Sequence, residues 1–116
     1  MKRILTIIAL LATPIAVHAH AMLDRASPRV GSTVTTAPKE LLLWFTEKLE
    51  PAFSTAEVRN AQGTVQSGKA RVDAGDRTEL HVPLRALPPG TYSVVWRVLS
   101  VDTHRTQGTF SFTVGQ

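Results

Sequence analysis

The chain has no cysteine among its 116 residues. This absence excludes disulfide bonds, thiolate metal sites, iron–sulfur clusters and cysteine nucleophiles. Methionine is also scarce, since Met1 and Met22 are the only two. Hydrophobic residues make up 43% of the chain and charged residues 19%, which is the composition of a globular protein and not of a disordered one. The length predicts a single domain.

Residues 1–19 have the pattern of a secretory signal peptide. Lys2 and Arg3 form a short basic start, an apolar run follows, and Val17 and Ala19 present the small side chains that a signal peptidase requires. The apolar run is too short to span a membrane, so an uncleaved anchor is the weaker alternative. We predict export, cleavage after Ala19, and one mature domain of residues 20–116.

Loss of the signal peptide also removes two of the 13 basic residues, against 9 acidic ones. The remaining charges are scattered along the mature chain and form no basic stripe. This distribution argues against a nucleic-acid partner.

Apolar and polar residues alternate along several short segments of the mature chain, which is the period of β-strands. The clearest run places Tyr92, Val94, Trp96 and Val98 on one face. No ten-residue stretch shows a helical stripe, and Gly/Pro turns separate the runs. We therefore predict an all-β sandwich or Greek-key barrel. Tyr92 and Trp96 look like the tyrosine corner and core tryptophan of immunoglobulin-like sandwiches.

Three local features refine this prediction. Pro83 lies inside an alternating run, which is typical of an edge strand. Residues 68–77 are polar and irregular, and we interpret them as a loop. The last strand is expected to begin after a turn at residues 105–108.

His20, as the first residue of the processed chain, would carry two nitrogen donors. Its α-amine and ring Nδ1 close a six-membered chelate ring with little strain. Metal ions compete with protons for both nitrogens near neutral pH. Any residue can follow a cleavage site, however, and chain ends are usually loose, so His20 alone is weak support for a metal site.

Asp102 and His104 form a second candidate. Residues two apart in an extended chain point to the same face, so the carboxylate and the imidazole are expected to project together at the end of a sheet. A lone Asp-x-His pair more often only satisfies loop backbone. Glu47 ends an apolar strand, where it can reach a neighbouring N–H group or cation or simply face solvent. We interpret His81 as structural or solvent-facing.

Together these residues form a donor set of two imidazoles, one amine and one carboxylate, without sulfur. Such a nitrogen-rich set suits Cu(II), which also binds most tightly among the divalent first-row ions. Zinc accepts two histidines and a carboxylate as well, and is the second candidate.

Several short motifs occur in an order that is typical of one family. In them the chain resembles the CopC-like periplasmic copper-resistance proteins over nearly the whole mature sequence. The motifs are the terminal His20, Ser27-Pro28 with Gly31-Ser32, Leu43-Trp44-Phe45-Thr46-Glu47, Gly90-Thr91-Tyr92 with Trp96, and Ser100-Val101-Asp102-Thr103-His104.

The resemblance implies a seven-stranded Greek-key β-sandwich, cupredoxin-like in outline, that binds one Cu(II) per chain. It implies that His20 supplies its amine and a ring nitrogen, His104 a third nitrogen and Asp102 a weaker oxygen ligand. Glu47 would lie beside the metal and hydrogen-bond to the terminal histidine.

The function that the resemblance implies is Cu(II) binding for copper homeostasis or resistance. The protein would be a monomer in the periplasm that acts as a buffer or as a donor to an inner-membrane copper transporter. Some family members carry a Met-rich loop that binds Cu(I), but residues 61–76 contain no methionine. Cu(I) needs such soft ligands, so we predict a protein that binds Cu(II) only.

Two other functions remain open at this stage. A copper-dependent polysaccharide monooxygenase uses the same pair of histidines, but it needs a broad flat face with exposed aromatic residues and a longer chain to build it. We therefore expect a binding protein and not an enzyme. The other alternative is an immunoglobulin-like adhesion module whose terminal histidine is incidental.

Overall fold

The computed structural model describes residues 20–116, so the predicted signal peptide lies outside the described residues. These residues form eight β-strands and one short 3-10 turn. The strands are β1 (Leu23–Ser27), β2 (Thr33–Val34), β3 (Glu40–Phe45), β4 (Thr55–Arg59), β5 (Arg71–Val72), β6 (Glu79–Pro83), β7 (Gly90–Leu99) and β8 (Arg105–Val114), and the 3-10 turn is Pro51–Phe53. Within residues 20–116, no helix is long and apolar enough to cross a membrane.

The strands form two four-stranded sheets, with the orders β1-β3-β6-β5 and β2-β8-β7-β4. All neighbours pair antiparallel except β2 and β8, which are parallel. The sheets remain open and do not close into a barrel, which confirms the all-β sandwich. Residues 20–116 form eight strands where the resemblance implied seven. Strands β2 and β5 contain only two residues each, too few to show an alternating pattern in the sequence.

The core lies between the sheets and follows the predicted alternation. On β7, Tyr92, Val94, Trp96 and Val98 are all buried. The facing sheet contributes Leu41, Leu43 and Phe45 from β3 and Leu80 and Val82 from β6. Burying a large apolar side chain contributes about 1.5–3 kcal/mol, so these inward faces fix which side of each strand points into the sandwich.

The predicted tyrosine corner is present. The hydroxyl of Tyr92 donates a hydrogen bond to the main-chain carbonyl of Pro88, and its ring stacks on Phe112 with 5.6 Å between ring centroids. Trp96 meets Phe45 of the opposite sheet edge-on, at 5.2 Å. The Tyr92 contacts hold β7 to β8 and to the turn before it, and the Trp96–Phe45 contact joins β7 to the facing sheet.

Three sequence-based expectations about strand positions were wrong. Strand β6 lies between β3 and β5 and is not at an edge. Pro83 is tolerated because it ends the strand, and its carbonyl accepts a hydrogen bond of 2.9 Å from the Gly68 N–H. Residues 68–77, which were expected to form a loop, contain β5. Strand β8 begins at Arg105, where the sequence predicted a turn.

Candidate metal centre

The segment that begins with His20 is bonded to both sheets. The hydroxyl of Thr46, just after β3, donates to the His20 carbonyl at 3.2 Å and accepts from the Met22 N–H at 3.0 Å. On the other sheet, the hydroxyl of Thr106 in β8 donates to the Ala21 carbonyl at 2.7 Å. Ala21 itself is fully buried. These contacts hold His20 at one end of the sandwich.

A tight loop of residues 100–104 connects β7 to β8 at the same end. The Ser100 N–H donates to the His104 carbonyl at 3.0 Å, and the Thr103 N–H donates to the Ser100 carbonyl at 2.9 Å. Thr103 has a φ of 72°, in the left-handed region that β-branched residues rarely occupy. The loop is thus a closed turn and not the extended segment that the sequence suggested.

The two histidines meet across this end of the sandwich. The ring centroids of His20 and His104 are 4.8 Å apart, with an angle of 78° between the ring planes. Metal–nitrogen bonds are about 2.0 Å long, so two rings this close can reach the same ion. The structure therefore brings together the two residues on which the sequence-based metal site depends.

Asp102 lies beside His104, as the sequence suggested. One carboxylate oxygen, Oδ2, is 3.2 Å from His104 Nδ1, and the other accepts a hydrogen bond from the Ser100 hydroxyl. The Ser100 hydrogen bond holds the pKa of Asp102 below its usual value, burial opposes this effect, and His104 lowers the pKa further. The carboxylate is therefore ionised near neutral pH and faces an imidazole.

Glu47 follows Thr46 directly and is half-buried. Its carboxylate makes no hydrogen bond or ion pair with any residue of the 20–116 range. The predicted hydrogen bond between Glu47 and the terminal histidine of the processed chain stays a prediction.

His81 lies apart from these contacts, on β6. Its Nδ1 is 2.9 Å from Glu40, and its Nε2 is 3.4 Å from Asp73 and 3.3 Å from Glu79. These contacts fit the structural interpretation of His81.

In the described part of the chain, no three His, Asp or Glu side chains converge to form a complete metal site. The predicted donor set does not consist of side chains alone, because one of its nitrogens is the α-amine that processing would create at His20.

The sequence did not reveal the residues that hold this end of the sandwich together. Thr46 and Ser100 lie inside motifs that were noted for other residues, while Thr106 lies in the polar entry to β8 and gave no signal. Thr46 and Thr106 contact residues that are distant in sequence, and Ser100 contacts residues that a turn brings back to it.

Comparison with known proteins places the chain in a family of copper proteins. A model of the CopC domain matches residues 23–115. The chain is 40% identical over 106 residues to "Protein YobA" of Escherichia coli strain K12, covering 90% of this chain and 85% of that protein. It is 37% identical over 103 residues to "Copper resistance protein C" of Xanthomonas campestris pv. juglandis, covering 83% and 80%.

This chain matches one part of a longer relative. The "Copper transport protein CutJ" of Bacillus subtilis strain 168 is 29% identical over 122 residues, which covers 100% of this chain but 23% of that protein.

Two solved structures have the same fold. CopC from Methylosinus trichosporium OB3b superposes with a TM-score of 0.79 at 34% identity, covering 83% of this chain and 94% of that chain. PcoC from Escherichia coli, described as a methionine-rich copper resistance protein, gives a TM-score of 0.74 at 34% identity and covers 83% and 99%. With the domain match over residues 23–115, these similarities show that the chain belongs to the CopC family of copper resistance proteins.

Proposed function

We propose that the processed protein is a periplasmic carrier or buffer of Cu(II) that binds one ion per chain at His20 and His104. The observation that carries this proposal is the 4.8 Å separation of the two imidazole rings. The contacts of Thr46, Thr106 and Ser100 hold the two rings side by side at the rim of the sandwich. One ion could bind to both rings there.

The donor atoms near these rings suit Cu(II). Cleavage after Ala19 would add the α-amine of His20 to its ring nitrogen, and His104 would supply a third nitrogen. Asp102 would add an oxygen ligand or orient His104 through the 3.2 Å contact with Nδ1. Glu47 would hydrogen-bond to His20. Nitrogen and carboxylate donors without sulfur favour Cu(II) over Cu(I).

The same reasoning predicts that the protein binds copper only as Cu(II). Met22 is the only methionine in residues 20–116 and is largely exposed. The related PcoC is described as methionine-rich, whereas this chain has no cluster of thioether ligands. We therefore assign it no separate Cu(I) site.

The exposure of the site supports a role in transfer. The side chain of His104 is 51% exposed, so an ion held there would be accessible to a partner. The match to one part of a longer copper transport protein suggests that such a domain works beside a transporting region. We propose that the partner of this domain is an inner-membrane copper transporter.

The distribution of aromatic residues supports carriage over catalysis on a polysaccharide. Four of the seven aromatic side chains, Phe45, Tyr92, Trp96 and Phe112, lie in the core. Few rings are left to build the flat aromatic face that an insoluble substrate requires. We therefore propose a monomeric binding protein with no enzymatic activity.

Intact mass spectrometry of the exported protein under native conditions, with and without Cu(II), tests processing and stoichiometry together. We expect a chain that begins at His20 and gains one copper ion. The His104→Ala variant, processed in the same way, is the matched control and should retain little or no copper. A mature chain that begins at another residue, or a wild-type protein that gains no copper, would contradict the proposal.

A further inference from the structure

Ser100 lies at the centre of the loop that carries Asp102 and His104. It is fully buried, directly follows β7, and forms an isolated β-bridge with Leu49. Its main chain closes the loop from both sides, through the His104 carbonyl and the Thr103 N–H. Ser100 therefore joins the loop to the rigid end of the sheet.

The side chain of Ser100 connects the two functional residues of the loop. A serine hydroxyl can donate one hydrogen bond and accept others. Here it donates to Oδ1 of Asp102 and accepts from the His104 N–H at 3.3 Å. One buried oxygen atom thus fixes both the carboxylate and the main chain of the histidine.

The consequence is a defined direction for each group. With Oδ1 held by Ser100, the second carboxylate oxygen of Asp102 points to His104 Nδ1 at 3.2 Å. The left-handed backbone of Thr103 between them is an unfavourable conformation for a β-branched residue, and such conformations persist only where surrounding contacts impose them. The Ser100 hydrogen bonds are the contacts that do so here.

We propose that Ser100 is a positioning residue of the copper site, whose hydroxyl holds Asp102 and His104 in place before the ion arrives. Ser100 itself does not touch the ion. The proposal rests on the function proposed above, since it presupposes a site at His20 and His104. Partners that orient metal ligands typically contribute ten- to a hundred-fold in metal affinity.

The variant Ser100→Ala removes the hydroxyl and keeps the size of the side chain. Ser54→Ala is the matched control, because Ser54 is also buried and its hydroxyl accepts a hydrogen bond of 3.2 Å from the N–H of Leu99, the residue before Ser100. For each processed protein we would measure Cu(II) affinity by competition with a chelator, the electron paramagnetic resonance spectrum of bound Cu(II), and thermal unfolding without metal.

We expect both variants to unfold at lower temperature than the wild type. Only Ser100→Ala should also lose Cu(II) affinity, by roughly ten- to a hundred-fold, and change the resonance spectrum. Wild-type affinity and spectrum in Ser100→Ala, or an equal loss of affinity in Ser54→Ala, would overturn the proposal.

Two further measurements separate the possible failures. If the wild-type protein binds no Cu(II), or binds it no more tightly than His104→Ala does, the proposed function itself fails. If Ser100→Ala does not fold, nuclear magnetic resonance of the metal-free wild type decides. A single His104 tautomer and rotamer supports positioning by the loop, and an averaged side chain contradicts it.

Discussion

The hydroxyl of Thr106 donates a 2.7 Å hydrogen bond to the carbonyl of Ala21, the residue that follows His20. This bond joins the strand that begins beside one histidine to the segment that carries the other. The segment that begins with His20 is therefore part of the sandwich, and the position of His20 depends on the fold.

Removing this bond should weaken both the fold and the site. In Thr106→Val the Ala21 carbonyl loses its donor, and we expect the free energy of unfolding to fall by about 1 kcal/mol together with a loss of Cu(II) affinity. Thr91→Val is the control, because the Thr91 hydroxyl bonds to that of Thr113 at the opposite end of the β7–β8 hairpin. Equal copper affinity in the two variants would show that the anchor does not position His20.

Substitutions of His104 and His81 should have different effects on Cu(II) affinity. His104→Ala removes a ring that lies 4.8 Å from His20 and should greatly reduce Cu(II) affinity. His81→Ala removes a ring held by Glu40, Asp73 and Glu79 and should leave copper affinity unchanged. Competition titration of both variants measures this difference, and a larger loss for His81→Ala would mean that the site is misplaced.

Gly108 should be a sensitive position for stability. It pairs with Trp96 in the β7–β8 register, and a Cβ atom there would approach the Trp96 ring to 2.4 Å. We expect Gly108→Ala to lower the free energy of unfolding by about 1–3 kcal/mol, as overpacking does. In Gly115→Ala the nearest contact would be an ordinary 3.4 Å, so this control should unfold like the wild type in urea. Equal stability of the two variants would contradict the close packing.

The pKa of Asp102 gives a prediction for acid conditions. Because the folded state lowers this pKa, the carboxylate contributes stability above the ordinary carboxyl range, and that contribution is lost as the pH falls through the lowered value. In Ser100→Ala the main cause is removed, so the pKa of Asp102 should rise towards its usual value. Carboxyl resonances of the metal-free protein measure this, with Asp76, whose pKa is lowered by Thr78, as the internal control. An unchanged pKa of Asp102 would contradict the assigned cause.

How much of this could be predicted depends on the range of each interaction. Tyr92 and Trp96 could be placed in the core because their alternation is a local property of one strand. Strands β2 and β5 could not be predicted, because two residues are too few to show a period and the strands they pair with are distant in sequence. The same holds for Thr106, whose role depends on Ala21 at the other end of the chain.

The Asp102–His104 pair was predicted for a reason that the structure does not support. The expectation assumed an extended segment in which alternate side chains share a face. The two groups meet instead because Thr103 takes a left-handed conformation and Ser100 closes the loop. Propensity does not reveal such a turn, because threonine is disfavoured there.

The central claim is that the α-amine of His20 is a copper ligand. Adding a single glycine before His20 converts this amine into an amide, a much poorer ligand, and moves the new amine away from the ring. Thr46 donates to the His20 carbonyl and Thr106 donates to the Ala21 carbonyl. Neither bond uses the amine, so thermal unfolding without metal should not change. Protons compete for nitrogen ligands, so the affinity of the authentic protein should also fall as the pH is lowered.

The most direct test is to compare Cu(II) affinity and the visible d–d spectrum of the authentic protein with those of the version extended by one glycine. We predict that the extended protein keeps its fold, loses most of its affinity and shows a shifted spectrum. Unchanged affinity and an unchanged spectrum would show that the amine is not a ligand and would contradict the proposed copper site.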